Sequence, residues 1–387
     1  MRRTKILYFI PNLQQGGPER QILEMIRNLP ERFEPILCVY NDEGIFFDDR
    51  LLPGQPRHSL GVKRMGISAL RKLTEILKAE QPDIVHSYRD KANFWMRLAA
   101  RRAGVRVLIT SCRNRMMQLR YLLIEKWMSR GTQVILTNSE GVKYELTRYA
   151  RVPAAKIRVI HNILDVNFFR PPTPGEKAEA RVRWNVSDGD LVLLLPGRVG
   201  VQKHQIGLLR ALRSLAKQRR LPSNIVLLLA GRNRDPIASR WVASLAQSPE
   251  LKPHVRLLGA QKDMRSLYWA SDVLVMPSLY EGLANAALEG CACGLPAVLS
   301  HAANVDGIVE PGTSGWEVPT FKQAPLVEAL ADVFTMPRVD LISRGAAAAQ
   351  HMRARFAPTP LHVVDQTVAI YDELLRRHGR REEHDLL

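Results

Sequence analysis

Short runs of consecutive apolar residues recur along the whole chain, and each is followed by a longer stretch with helical spacing. A strand that is apolar at every position, and not only at every second one, is covered on both faces. Strands of that kind, separated by helices long enough to serve as crossovers, build a parallel sheet with helices on either side. In the first half the runs Lys5–Ile10, Pro35–Tyr40, Asp83–His86, Val105–Thr110, Gln133–Leu136 and Ile157–Ile160 are expected as strands. Glu19–Leu29, Ala69–Ala79, Ala92–Ala103, Tyr121–Met128 and Val142–Tyr149 are expected as helices between them. The pattern breaks in the proline-rich stretch 162–176, a stiff linker signal. It restarts with strands at Leu191–Leu195, Asn224–Ala230, Val255–Leu258, Val273–Met276 and Ala297–Ser300. The intervening helices are expected at Gln205–Lys217, Pro236–Ala246, Met264–Trp269 and Ala284–Cys291.

Two doubly wound α/β domains in series follow from this, and 387 residues is a fitting length for two. The expected division is 1–170 and 171–355, with 356–387 a helix packing back on the N-terminal domain and ending in a charged tail from Arg376. The N-terminal run stops at Pro11, too short for a signal sequence, and no run is long enough to span a membrane. Four cysteines without a C-x-x-C pair or metal-ligand spacing suit a reducing cytoplasm. The net charge is +18, and its distribution is uneven. Residues 1–172 hold 30 Lys and Arg against 16 Asp and Glu, whereas 173–387 hold 26 against 22. Any anionic surface this chain meets is therefore expected to meet the first half.

In doubly wound domains the chemistry lies at the carboxyl ends of the strands. Three segments there stand out. The first, Pro11-Asn-Leu-Gln-Gln-Gly16-Gly17-Pro-Glu19, fits either a tight structural turn or a phosphate loop. The second, Gly197-Arg198-Val-Gly-Val-Gln-Lys203, places two cations five residues apart, suited to a diphosphate. The third runs from Met276-Pro-Ser through Glu281-Gly282-Leu283-Ala284-Asn285 to Glu289. If it were helical throughout, its two carboxylates would stand about 12 Å apart, room for an extended polar ligand. A carboxylate also suits a vicinal diol.

Taken together in order, these segments resemble the signature of retaining glycosyltransferases of the GT-B fold, family 4. Asp83-Ile-Val-His86, Val159-Ile-His-Asn162-Ile-Leu-Asp165, Val255-Arg-Leu-Leu-Gly259 and Gly312-Thr-Ser-Gly315 extend the resemblance over most of the chain. It implies two Rossmann-like parallel-sheet domains facing across a cleft, and a sugar moved from a nucleotide-diphosphate donor to a glycan or lipid-linked acceptor. Arg198, Lys203 and Glu281 would be catalytic. Gly197, Gly231, Gly282, Leu283, Ala284, Asn285 and Glu289 would hold the donor, with Glu289 on the ribose, Glu281 on the sugar, and Gly16 and Gly17 closing over the phosphates. His86, Arg113 and Asn114 would contact acceptor or sugar. No metal or cofactor is expected, the nucleotide sugar being a substrate. Polysaccharide or lipopolysaccharide assembly is the implied setting.

Three stretches depart from the family pattern. Ser111-Cys112-Arg113-Asn114 stands where many members have a His, so Arg113 or Asn114 is expected to take over that contact. Glu289-Gly290-Cys291-Ala292 and Ala302-Ala303-Asn304-Val305-Asp306 differ from E-A-x-A and G-G-x-x-E, which points to an unusual sugar end. Asp188-Gly-Asp190 imitates a metal-binding D-x-D but precedes a strand and is expected to be a turn. The absence of G-x-G-x-x-G argues against a dinucleotide oxidoreductase, and nothing marks a nucleic-acid binder. An epimerase or hydrolase on the same fold remains the alternative. The segment Arg113–Arg130 mixes cations with Met, Leu, Tyr and Trp, which fits either a core helix or a helix lying on an anionic membrane.

Overall fold

The computed structural model describes residues 2–14, 16–45, 51–115, 119–359 and 361–385. It divides into two compact units, one of Met1–Ile163 with Leu361–Leu387, the other Leu164–Pro360. The division falls at Leu164 and not at 171. Leu164, Val166 and Phe169 are the reason, since they are buried in the core of the second unit.

The first unit runs β1 (Thr4–Ile10), α1 (Gly17–Arg27), β2 (Phe33–Val39), β3 (Arg57–Ser59), α2 (Ile67–Glu80) and β4 (Ile84–Tyr88). It continues with α3 (Asp90–Ala103), β5 (Val107–Cys112), α4 (Leu119–Met128), β6 (Val134–Thr137), α5 (Glu140–Arg148) and β7 (Ile157–Val159). Its seven strands are ordered β3-β2-β1-β4-β5-β6-β7, and each strand pair is parallel. Ile6 to Ile10 are completely buried, as an all-apolar strand with helices on both faces requires. The edge strand β3 was not legible, because three residues with exposed Arg57 carry no apolar signal.

The second unit comprises α6 (Pro174–Arg183), β8 (Leu191–Pro196), α7 (Gln205–Lys217), β9 (Ile225–Ala230), α8 (Pro236–Ala246) and β10 (Val255–Gly259). After these come α9 (Met264–Ala270), β11 (Val273–Met276), α10 (Asn285–Ala292), β12 (Ala297–Ser300), β13 (Gly315–Val318), α11 (Gln323–Thr335) and α12 (Arg338–Phe356). Its six strands are ordered β10-β9-β8-β11-β12-β13, again parallel. The stiff linker ends sooner than expected. Thr173 and Glu176 form a reciprocal capping box around Pro174 that starts α6.

The last helix, α13 (His362–Asp385), returns the chain to the first unit. Val364, Val368, Tyr371 and Leu374 join the core beneath β1 and β4. The helix continues where a charged tail was expected from Arg376. Arg and Glu are good helix formers, and Arg377 pairs with Glu373 one turn back at 2.5 Å.

Candidate active site

Each sheet reverses its strand order once, between β1 and β4 in the first unit and between β8 and β11 in the second. The loops leaving the carboxyl ends of those two strands enclose the crevice where open parallel sheets bind ligands. In the second unit these loops are 197–204 and 277–284, the two segments with the strongest sequence signals.

They are laced together. Leu279 donates its amide to Gln202 O at 2.8 Å, and Gln202 Nε2 donates to Tyr280 O at 3.1 Å and to Glu281 Oε2 at 3.2 Å. Lys203 Nζ lies 2.6 Å from Glu281 Oε1, with both side chains largely buried. Lys203 and Glu281, expected on diphosphate and sugar separately, are thus one ion pair. The loop carrying Arg198 is braced from below by buried Gln205, whose Nε2 donates to Arg198 O at 3.0 Å and whose Oε1 accepts from Gly200 N at 3.3 Å. Neither glutamine was singled out by sequence, since a Gln beside a loop carries no signal of its own.

Gly197 sits at φ +149°, and a side chain there would run into the Lys203 stem at 2.9 Å. Gly231, expected among the residues that hold the donor, lies directly under this loop. A Cβ on it would come within 2.0 Å of Gly197 O. The third segment is not helical throughout. Gly282, Leu283 and Ala284 form a buried turn, and α10 begins only at half-buried Asn285, with Ala284 at its N-cap position. The 12 Å carboxylate spacing therefore does not apply. Glu289 is buried further along α10 and accepts a hydrogen bond from Tyr268 Oη at 3.0 Å. Asp188-Gly-Asp190 is a turn before β8, in which Asp190 Oδ2 accepts from Ser187 N at 2.8 Å.

In the first unit an equivalent pair spans the reversal point. Arg89, at the end of β4, lies 3.0 Å from Glu19 on α1. Glu19 is buried at the start of its helix and folds under Gly16, where a Cβ would meet its Oε2 at 2.1 Å. A negative charge in the first turn suits the positive end of the helix dipole, and the Glu19 carboxylate supplies one beside the Gly16-Gly17 turn. Arg89 takes φ +81°, a costly conformation for a non-glycine residue and one that gathers at functional sites.

His86 is drawn inside, contrary to the expected substrate contact. It is fully buried, with Nδ1 2.6 Å from Tyr371 Oη and Nε2 2.8 Å from Ser111 Oγ. Burial first, and then nearby Arg113, hold its pKa well below the ordinary value, so the ring is neutral. Arg113 instead stands toward the strand ends, donating to Asn162 Oδ1 at 2.9 Å and covering the Tyr88 ring at 5.2 Å. Asn114 is exposed.

Comparison with known proteins agrees with this layout. The description Glycosyltransferase Family 4 matches residues 15–168, and Glycosyl transferases group 1 matches residues 176–350. The chain belongs to the family 4 glycosyltransferases. An Escherichia coli UDP-Gal:alpha-D-GlcNAc-diphosphoundecaprenol alpha-1,3-galactosyltransferase is 25% identical over 302 residues, 74% of this chain and 76% of that protein. Anabaena Alr3699/HepE, solved with UDP and glucose, superposes with a TM-score of 0.83 at 18% identity, covering 96% of this chain and 100% of that one. WaaG, a glycosyltransferase involved in lipopolysaccharide biosynthesis, superposes at 0.74 with 14% identity, covering 93% and 98%. These likenesses establish the GT-B fold.

The departures from the family 4 pattern now have local partners. Ser111 is spent on His86. Asn304, in the altered G-G-x-x-E stretch, closes on Val309, accepting from its amide at 2.8 Å and donating to its carbonyl at 3.1 Å.

Proposed function

We propose that this glycosyltransferase moves a hexose from a nucleotide-diphosphate sugar to a glycan or lipid-linked acceptor with retention of configuration, in polysaccharide or lipopolysaccharide assembly. The observation that carries the donor assignment is the lacing of loops 197–204 and 277–284 by Lys203 and Glu281 at the reversal point of the second sheet. The solved complex of a GT-B relative with UDP and glucose supports it.

Glycosyl transfer builds negative charge on the departing diphosphate while the sugar becomes oxocarbenium-like. In this reading Arg198 and Lys203 supply the cations that meet that charge, so they act on the transition state more than on the ground state. The N-terminal end of α10, which starts in this same loop, adds its dipole to that field. Glu281 holds Lys203 in line and offers its other oxygen side to sugar hydroxyls; Glu289 takes the ribose. With this charge supplied by side chains, the reading needs no resident metal.

The acceptor falls to the first unit, whose cationic excess suits a phosphorylated lipid carrier at an anionic membrane. Among the described residues no helix is long and apolar enough to cross a membrane. Surface docking has a concrete candidate in α4. Trp127 is 61% exposed, with Lys126 Nζ 5.4 Å and the Arg130 guanidinium 5.6 Å from its ring. The preceding Met116 to Gln118, part of the same sequence signal, lie outside the described residues. The E. coli relative's name specifies a diphosphoundecaprenol acceptor, which supports the same setting.

The test is product analysis with UDP-, GDP- and ADP-hexoses, with and without a lipid-linked saccharide acceptor, reading the new anomeric signal by NMR. A glycoside with the donor's configuration, formed only with acceptor, is the expected product. Free hexose or an epimerised donor without acceptor would replace this reading by hydrolysis or epimerisation.

A further inference from the structure

Glu289 lies on α10, but what fixes its carboxylate comes from α9. Tyr268 is buried, and its ring is held edge-on against Phe169 at 6.1 Å between centroids. Its neighbour Trp269 anchors α9 to the chain entering the unit by donating Nε1 to Arg170 O at 2.8 Å. From this rigid base the Tyr268 hydroxyl donates to Glu289 Oε2 at 3.0 Å.

Gly290 belongs to the same arrangement. A Cβ there would lie 3.1 Å from Leu274 Cδ2 and 3.4 Å from Tyr268 Cδ1. The missing methyl lets α10 settle close to the ring, which gives a local reason for glycine after Glu289.

We propose that Tyr268 is the positioning residue for nucleotide recognition, orienting the Glu289 carboxylate so that it meets the ribose hydroxyls in one fixed plane. The proposal rests on the reading that Glu289 takes the ribose. A glutamate side chain has three rotatable bonds, and a carboxylate serves a diol only when both partners lie near its plane. A hydroxyl donor on one oxygen fixes that plane, and a carboxylate has about four acceptor positions, so the bond does not exhaust it. A role limited to satisfying a buried carboxylate predicts a loss of stability alone. A positioning role predicts that recognition of the diol weakens.

The experiment measures, by calorimetric titration, the affinity for uridine 5′-diphosphate against its 2′,3′-dideoxy counterpart. The guanosine and adenosine pairs are run alongside, and the pair bound most tightly by the wild type is used. The ratio within each pair is taken on one preparation, so a reduced folded fraction cancels. Glu289→Gln should lower the ribo-over-dideoxy preference at least tenfold. Tyr268→Phe should lower it fivefold or more, with affinity for the dideoxy compound within twofold of wild type. A Tyr268→Phe protein that keeps the wild-type ratio while Glu289→Gln loses it overturns the proposal. A Glu289→Gln protein that keeps the ratio removes the ribose reading itself, and the proposal with it.

Discussion

Lys203 Nζ and Glu281 Oε1 meet at 2.6 Å and join the loops after β8 and β11 where the second sheet reverses its strand order. Glu19 and Arg89 meet at 3.0 Å across the loops after β1 and β4, the reversal point of the first sheet. Each unit thus carries, at its reversal point, one carboxylate–cation pair contributed by the segments that follow two different strands. Such a pair helps to fix the distance between segments that leave neighbouring strands and are no longer paired as sheet.

The Lys203 and Glu281 side chains are only 13% and 8% exposed, so removing one leaves the other as an uncompensated buried charge. Lys203→Met should destabilise the protein by about 3 kcal/mol. Lys203→Met with Glu281→Gln should cost clearly less than the two single losses added, with a coupling of about 1–2 kcal/mol. Urea unfolding of the four proteins supplies the cycle, and additive losses would show that the pair does not act as a unit.

Arg198 stands in the loop braced by Gln205, and its proposed task is to stabilise the leaving diphosphate. By analogy with removal of one oxyanion donor, Arg198→Ala should lower kcat by about 10²–10³-fold with a smaller change in KM. A kcat loss under threefold in steady-state assays would take Arg198 out of the catalytic set.

Most of the fold was legible because both sheets are buried on both faces, which makes each central strand an unbroken apolar run. What escaped was local. β3 has no apolar signal, and α6 begins inside a proline-rich stretch whose Thr173–Glu176 capping box looks like loop until the reciprocal hydrogen bonds are seen. In the site, residue type and position after strand ends singled out Arg198, Lys203 and Glu281 as candidates, and Glu289 followed from its spacing to Glu281. That Lys203 and Glu281 form one pair was not legible, since they are distant in sequence and spacing says nothing of contact between loops. His86 was misplaced for a related reason: a histidine at a strand end looks available until Tyr371, arriving from α13, covers it.

Gly231 has no room for a methyl group, because its Cβ would stand 2.0 Å from Gly197 O and 3.0 Å from Arg198 N. Both are backbone atoms, so the loop itself must move. Gly231→Ala should cost about 1–3 kcal/mol in stability and reduce nucleotide affinity at least tenfold. Titration calorimetry beside thermal unfolding separates the two effects, and unchanged affinity in Gly231→Ala would show that this loop does not hold the nucleotide.

His86 makes stability depend on acid. Burial keeps its folded pKa well below the ordinary 6.5, so the native protein holds the neutral ring while the unfolded chain takes up a proton below that value. Stability from this source is complete above about pH 6.5 and falls by roughly 1.4 kcal/mol per pH unit beneath it, until the folded pKa is reached. His86→Gln should be less stable at pH 7.5, yet show a shallower decline as pH falls below 6, by up to one bound proton. Groups common to both proteins cancel in the difference. Parallel slopes in urea unfolding across that range would mean His86 is protonated in the fold.

Trp127 tests the membrane side without touching the donor loops. α4 is fixed from within by Glu125, which receives the Arg97 guanidinium through two bonds of 2.8 and 2.7 Å, and this leaves Trp127 and Leu123 on its outer face. An exposed indole flanked by cations suits the headgroup region of an anionic bilayer, where the ring is partly dried and each nearby cation contributes about 1 kcal/mol. Trp127→Ser should reduce co-sedimentation with vesicles of phosphatidylglycerol and phosphatidylethanolamine about tenfold. Binding to purely zwitterionic vesicles should be weak for both proteins, and activity on a water-soluble acceptor should be unchanged. Equal recovery of wild type and variant from the supernatant would show that α4 does not rest on a bilayer. The cationic excess of the first unit would then serve a soluble anionic acceptor.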